Sequence, residues 1–304
     1  MRLSSILTGA VLGIGLLGFA YYNLKRTSQQ NKTNALAVMS FNLRYGAVVE
    51  PNSWQVRRPI MQRCLKAASP DLIGTQEGLY EQLNDMEKDL PEYRRIGYGR
   101  EGGSENEHMA IYYKTTRFKP LAYADFWLSE TPKTIGSKTW GTPIHKHPRM
   151  VTWVRFKDLL NDREFLLFNT HFAHDSQEAR EKSAELLLKT IREINKNDLP
   201  VIVTGDFNED SRKEGQAHKN LSAGGYLQDT WSIAIKKPAD TMGTVHNYKG
   251  RAIDNNERID WILLHGSWTV LNLDVILCHE KGQYPSDHFP LQAVIEYGQE
   301  SKVR

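Results

Sequence analysis

The sequence predicts an α/β (α+β) four-layer sandwich, two packed and mostly antiparallel β-sheets flanked by helices. Short apolar runs bounded by polar turns recur from Ala35 to Tyr297, and they outnumber the helical patterns. The helical patterns that do occur carry one apolar stripe, so they belong on the outside of sheets. The 304 residues, 40% hydrophobic and 25% charged, show no internal repeat and suffice for one large domain.

The first element stands apart from that domain. Ile6 to Tyr22 is apolar or small, without a charge between Arg2 and Lys25. Two readings stay open: a signal peptide ending near Gly18-Phe19-Ala20, or a single membrane anchor, which needs about 20 apolar residues. The polar stretch Thr27 to Asn34 reads as a linker. The expected organisation is therefore a signal or anchor over 1–24, a linker over 25–34, a catalytic domain over 35–298 and a polar tail over 299–304. Lys25, Arg26 and Lys32 outweigh Arg2, which favours a cytoplasmic domain. The short basic start and the cleavage site favour export, and an exported or membrane-anchored extracytoplasmic domain is the expectation adopted.

Within the domain, strands are expected at Leu36 to Met39, Leu72 to Ile73, Met109 to Tyr113, Ala122 to Leu128, Met150 to Phe156, Phe165 to Thr170, Val201 to Thr204, Ile259 to Leu264 and Trp268 to Leu277. The clearest helix runs from Ser176 to about Asn195, with Asp175 and Glu178 as its capping signal and Leu187, Leu188, Ile191 and Ile194 as its apolar face. A second follows Asn52-Ser53, where Pro59 predicts a first-turn or restarted geometry. Cys64 and Cys278 are read as separate buried thiols, and neither has zinc spacing. The basic pairs Arg57-Arg58 and Arg94-Arg95 read as solvated surface. A net charge of +3 permits an anionic substrate without marking a dedicated nucleic-acid binder.

Chemistry-bearing motifs follow the apolar runs: Phe41-Asn42, Gln76-Glu77, Asn169-Thr170-His171, Gly205-Asp206-Phe207-Asn208, Arg258-Ile259-Asp260 and Ser286-Asp287-His288. A buried strand delivers its last residue to the sheet rim, so these ends can converge. Carboxylates, an amide and imidazoles at one rim suit a hard divalent cation and phosphoryl chemistry. Glu77 is the leading metal-ligand candidate, with Asn42 and Asp287 offering further oxygens to the ion or its water shell. A Gly-x-Ser-x-Gly elbow is absent, neither cysteine sits beside a histidine, and the histidines are not clustered as zinc ligands. No motif residue is missing, which argues against a catalytically dead scaffold.

Taken in order, these motifs resemble the endonuclease/exonuclease/phosphatase superfamily, whose fold is that of pancreatic deoxyribonuclease, over roughly Ala35 to Tyr297. The resemblance implies magnesium, with manganese as a substitute, and hydrolysis of a phosphoester by water. It implies that Asp206 and Asn208 orient the attacking water and the phosphate, and that Asp260 supports His288 as a dyad. The segment Glu107 to Tyr113 resembles the deoxyribonuclease strand whose glutamate pairs with the second active-site histidine, which here would join Glu107 to His171. A solvated Glu107 remains the alternative.

Phe126 to Pro132, Gly136 to Trp140 and Pro148 to Trp153 resemble a bacterial branch of the superfamily. There Arg149 precedes a strand and suits a phosphate grip, Trp140 suits the substrate edge, and His174 and Arg180 follow His171 closely. His145 and His147 flank Lys146 in a loop whose default role is surface. The expected substrates are nucleic acid, a phospholipid headgroup or a small phosphate ester. Diesters rank ahead of monoesters on sugars or inositol, because an exported enzyme meets polymers and lipids. A monomeric catalytic domain attached to the membrane through its N-terminal segment completes the expectation.

Overall fold

Apolar runs become strands wherever both faces are covered. The computed structural model describes residues 34–46, 50–141, 147–213, 215–250 and 257–298. The N-terminal segment, the linker up to Thr33, the tail, His145 and Lys146 lie outside the described residues. In chain order the elements are β1 Ala35–Asn42, α1 Trp54–Ala68, β2 Leu72–Gln76, α2 Tyr80–Asp89, β3 Tyr93–Ile96, β4 Ile111–Lys114 and β5 Phe118–Trp127. There follow β6 Met150–Asp158, β7 Glu164–His171, α3 Gln177–Ile194, β8 Val201–Asp206, α4 Gln216–Ser222 and β9 Gln228–Asp229. The short α5 Thr230–Ile233 leads to β10 Asp260–His265, β11 Trp268–Val275 and β12 Leu291–Tyr297.

The strands form two six-stranded sheets, ordered β11-β12-β1-β2-β4-β3 and β5-β6-β7-β8-β10-β9. The recorded pairings are antiparallel except β1 with β2 and β7 with β8, which run parallel near the middle of each sheet. One apolar cluster lies between the sheets, with Leu36, Val38 and Leu72 facing Phe156, Phe165 and Ile202. A second packs α3 and α4 on the far face of the second sheet through Leu187, Ile191 and Leu221. A third packs α1 and α2 on the first sheet through Met61, Leu65, Leu83 and Met86. The layers are therefore helix, sheet, sheet, helix, as expected from the sequence.

Polar residues stitch the two sheets where they come nearest the rim. Asn169 on β7 donates to the Thr75 and Ala110 carbonyls at 2.8 and 3.1 Å, and its Oδ1 accepts from Gln76 at 2.7 Å and Thr204 at 3.0 Å. Gly74 makes room for this contact. A Cβ there would lie 2.0 Å from Thr204 Oγ1 and 2.5 Å from Asn169 Oδ1.

Several local expectations change in three dimensions. Ser176, not Asp175, caps α3, because its side chain accepts the Ala179 N–H at 3.1 Å. Helix α1 runs straight through Pro59. The carbonyl that Pro59 leaves without an N–H belongs to Gln55, which is exposed and open to water. Helix α2 went unread because it buries only Gln82, Leu83 and Met86, too thin a stripe to stand out. Cys64 and Cys278 are bonded to each other rather than separate, since α1 lies beside the chain leaving β11 and brings their Cα atoms to 5.9 Å. Arg57 is not solvated but 1% exposed. Arg58 pairs with Asp85 and Asp89, and Arg95 with Glu87, whereas Arg57 and Arg94 make no carboxylate contact among the described residues.

Candidate active site

Strand register assembles the site. In the parallel pair β1/β2, Asn42 stands opposite Gln76, so Glu77 emerges beside Asn42 at the rim. In β7/β8, His171 stands opposite Asp206, and the antiparallel partner β10 sets Asp260 on the other side of Asp206. His288 arrives from the loop between β11 and β12 and bridges to Val245. Residues from both sheets thus meet at one end of the sandwich. Glu77, His171 and Asp206 present ligand atoms within 4.8 Å of one another, as do Asp206, Asp260 and His288.

Asn42 Nδ2 donates to both Glu77 Oε1 and Asp206 Oδ2 at 2.9 Å. Its Oδ1 accepts the Arg44 N–H at 2.9 Å, which leaves its second lone pair for a cation or its water shell. Glu77 takes a left-handed backbone (φ 62°), which turns its carboxylate toward Tyr45 N–H at 2.8 Å. Burial disfavours its charge, yet the hydrogen bonds from Asn42 and Tyr45, with His288 and Arg44 nearby, outweigh this and hold it below the usual carboxylate range. Burial, reinforced by the Asp260 carboxylate, instead pushes Asp206 up to about 7. Asn208, also left-handed, donates from its backbone to Asp206 Oδ1 at 3.0 Å and from its side chain to the Phe172 carbonyl at 3.0 Å.

His288 and His171 differ sharply. His288 Nδ1 lies 2.8 Å from Asp260 Oδ2, inside the protein. Burial opposes its charge, but Asp260, then Asp206 and Asp287, win and raise it to about 10. The Asp260–His288 pair is as expected. His171 Nδ1, by contrast, lies 4.0 Å from Glu107 Oε2, too far for a hydrogen bond. Arg100 has taken that carboxylate, at 2.9 Å. Burial, with Arg149 and Arg100 adding repulsion, drives His171 well below its ordinary range, so it is neutral. Glu107 is buried as well, and burial raises its carboxyl.

The acidic side of the site, with Glu77, Asp206, Asp260 and Asp287, draws a cation from the rim. Arg44, 48% exposed, reaches Glu77 Oε2 at 3.8 Å and Asp287 Oδ2 at 3.5 Å. Its guanidinium stands where a positive charge between those two carboxylates belongs, and this donor set of oxygens fits a hard divalent cation. The opposite side is basic. Arg149 is buried, its Nη2 lies 3.1 Å from His174 Nδ1, and its Nη1 has no hydrogen-bond partner among the described residues. Trp140 is half-buried and packs against the core cluster beneath α3, as a core residue does. Arg180 donates to the Ala173 and His174 carbonyls and braces that turn. Arg44 and Arg100 escaped sequence reading because neither lies in a motif. The polar run Glu101 to His108 was the only hint that Arg100 has a buried acidic partner.

The profile of the Endonuclease/Exonuclease/phosphatase family matches residues 39–288. Among solved structures, the chain is similar to an endonuclease/exonuclease/phosphatase family protein from Bacteroides thetaiotaomicron. The two are 33% identical with a TM-score of 0.81, over 87% of this chain and 98% of that one. It is similar to a mannosyl-6-phosphatase of the same organism at 33% identity and a TM-score of 0.79, over 86% of this chain and 100% of that one. The uncharacterized protein L388 of Acanthamoeba polyphaga mimivirus is 32% identical over 164 residues, 52% of this chain and 60% of the viral protein.

Proposed function

The chain belongs to the endonuclease/exonuclease/phosphatase family and is a phosphoester hydrolase, and from that premise we propose that its substrate is the phosphate monoester of a small sugar-like alcohol. The observation that carries this reading is the buried Arg149, whose Nη1 has no hydrogen-bond partner among the described residues, beside Arg100. A monoester is close to a dianion at neutral pH, with its second pKa near ~6, whereas a diester carries one charge. A second guanidinium in a water-poor pocket rewards the extra charge. The likeness to a mannosyl-6-phosphatase along nearly the whole domain supports the same choice. It reverses the order in which diesters and monoesters rank on sequence alone.

In this reading Glu77, with Asn42 and Asp287, holds Mg2+, for which Mn2+ can substitute. When bound, the cation neutralises the charge that builds on the transferring phosphoryl group. Asp206, held near neutrality, accepts the proton of the attacking water. The His288 cation, kept charged by Asp260, faces the pentavalent state. Asn208 keeps Asp206 in place by its backbone N–H, and Arg149 holds a non-bridging oxygen. The Cys64–Cys278 bond supports an extracytoplasmic domain, because disulfides persist in oxidising compartments.

Phosphate release from mannose 6-phosphate, glucose 6-phosphate and inositol phosphates, set against bis(4-nitrophenyl) phosphate, DNA, RNA and sphingomyelin, tests the proposal with Mg2+, Mn2+ or EDTA. The monoesters should lead by at least ~100-fold in kcat/KM, and Arg149→Met should erase most of that lead, as loss of a charge-assisted contact does. A higher kcat/KM on any diester overturns it.

A further inference from the structure

Helix α1 carries a buried cation that makes no salt bridge among the described residues. Arg57 is 1% exposed and spends its guanidinium on backbone carbonyls. Nη1 donates to Leu43 O at 2.7 Å and Pro285 O at 2.9 Å, and Nε to Asn52 O at 2.8 Å. Nη2 donates to Arg44 O and Tyr45 O at 3.2 and 3.3 Å. One side chain thereby joins the segment after Asn42 to the residue that precedes Ser286-Asp287-His288. Two turns along the same helix, Cys64 is bonded to Cys278, and the adjacent Arg63 pairs with Glu280. Residues 276–290 form no helix or strand of their own, and they reach α1 at Cys278, Glu280 and Pro285.

We propose that Arg57 and the Cys64–Cys278 bond make α1 a splint for the active site, fixing the spacing between the Leu43–Tyr45 segment and the Asp287–His288 segment. Arg57 is a positioning residue: its hydrogen bonds go to carbonyls, and it acts through Asn42 and Arg44 on one side and Asp287 on the other. A guanidinium suits the task because its fixed fork of N–H donors serves several carbonyls at once, which an ammonium cannot do in the same geometry. The disulfide closes a long chain loop and so restrains the far end of the same segment. This inference rests on the cation-site reading only in taking Glu77 and Asp287 as ligands.

The test uses the full chain in three forms: oxidised wild type, Arg57→Lys, and the double variant Cys64→Ser/Cys278→Ser. Amide exchange over residues 282–290 should quicken at least ~10-fold in both variants, while exchange in α3 stays at the wild-type rate. Mn2+ affinity by titration calorimetry should fall at least ~5-fold in both, because a displaced ligand loosens the cation site. Should Arg57→Lys fail to fold, the double serine variant decides the matter. A folded variant with wild-type exchange over 282–290 and wild-type Mn2+ affinity overturns the proposal. Glu77→Gln separates the two readings. It should lose Mn2+ while keeping wild-type exchange, and if it retained Mn2+ the cation-site reading would fall while the exchange data still judged the splint.

Discussion

Replacing Asp260 with asparagine tests the electrostatic core of the site. The substitution keeps the shape of the side chain and a hydrogen bond to His288 Nδ1, now 2.8 Å from Asp260 Oδ2, but removes the charge. In the native protein His288 titrates at about 10 against an ordinary value of ~6.5. At pH 8 it is therefore almost wholly charged. Without Asp260 the largest raising cause is gone and only Asp206 and Asp287 oppose burial, so the pKa falls toward the ordinary ~6.5, at which roughly 3% of His288 is charged at pH 8. Losing a preorganised charge beside the transferring group costs on the order of 10²–10³ in kcat. The assay is a pH–rate profile of phosphate release between pH 5 and 9. The wild type should show no loss of His288 charge within that range, whereas the variant should decline as pH rises above ~6. Stability has the same sign. A histidine with a raised folded pKa contributes stability that is complete below ~6.5 and is lost as pH rises through about 10. In EDTA, the gap in unfolding free energy between the two proteins should accordingly narrow toward pH 10. Superimposable pH–rate profiles would refute the reasoning.

Three further outcomes follow from the geometry. Glu77→Gln should abolish metal-dependent turnover with the fold intact, checked by activity and circular dichroism, and wild-type protein should be inactive in EDTA; near-native rates in EDTA would end the cation assignment. Gly74→Ala places a Cβ against Thr204 and Asn169 and should lower stability by about 1–3 kcal/mol, read by thermal unfolding. An unchanged melting temperature would show that the sheets separate there at no cost. Removal of residues 1 to 34 should leave a soluble, active domain, since every proposed catalytic residue lies after Ala35; a reporter fused after Arg304 should register outside the cytoplasm, and a cytoplasmic signal would count against export.

Much of the site could be read from the chain alone, for a local reason. A buried strand must be apolar, and a polar residue that ends it must sit at the rim, so Asn42, Glu77, His171 and Asp206 announced themselves by position, while Asp260 opens its strand and reaches the same rim because β10 runs antiparallel to β8. Their convergence also follows, because a layered fold sends its strand ends to a common edge. Other members of the same motifs look identical in sequence yet do different work. Gln76 and Asn169 bind each other across the sheet interface: the pleat turns Gln76 to the face opposite Glu77, while Asn169 shares a face of β7 with His171 but lies two residues short of the rim.

What only the tertiary structure decided is which distant groups share a partner. Glu107 faces His171, but Arg100 holds its carboxylate; this depends on how the 98–107 loop folds back, and no periodicity encodes it. Arg57 reads as a surface cation until α1 is laid on the first sheet, where five carbonyls surround it. Cys64 and Cys278 become one bond only because α1 and the chain leaving β11 pack side by side. Strand ends are set by nearest neighbours along the chain. Pairings such as these are set by how loops and elements pack, whether the partners lie seven residues apart, as Arg100 and Glu107 do, or 214, as the cysteines do, and a linear pattern does not record that packing.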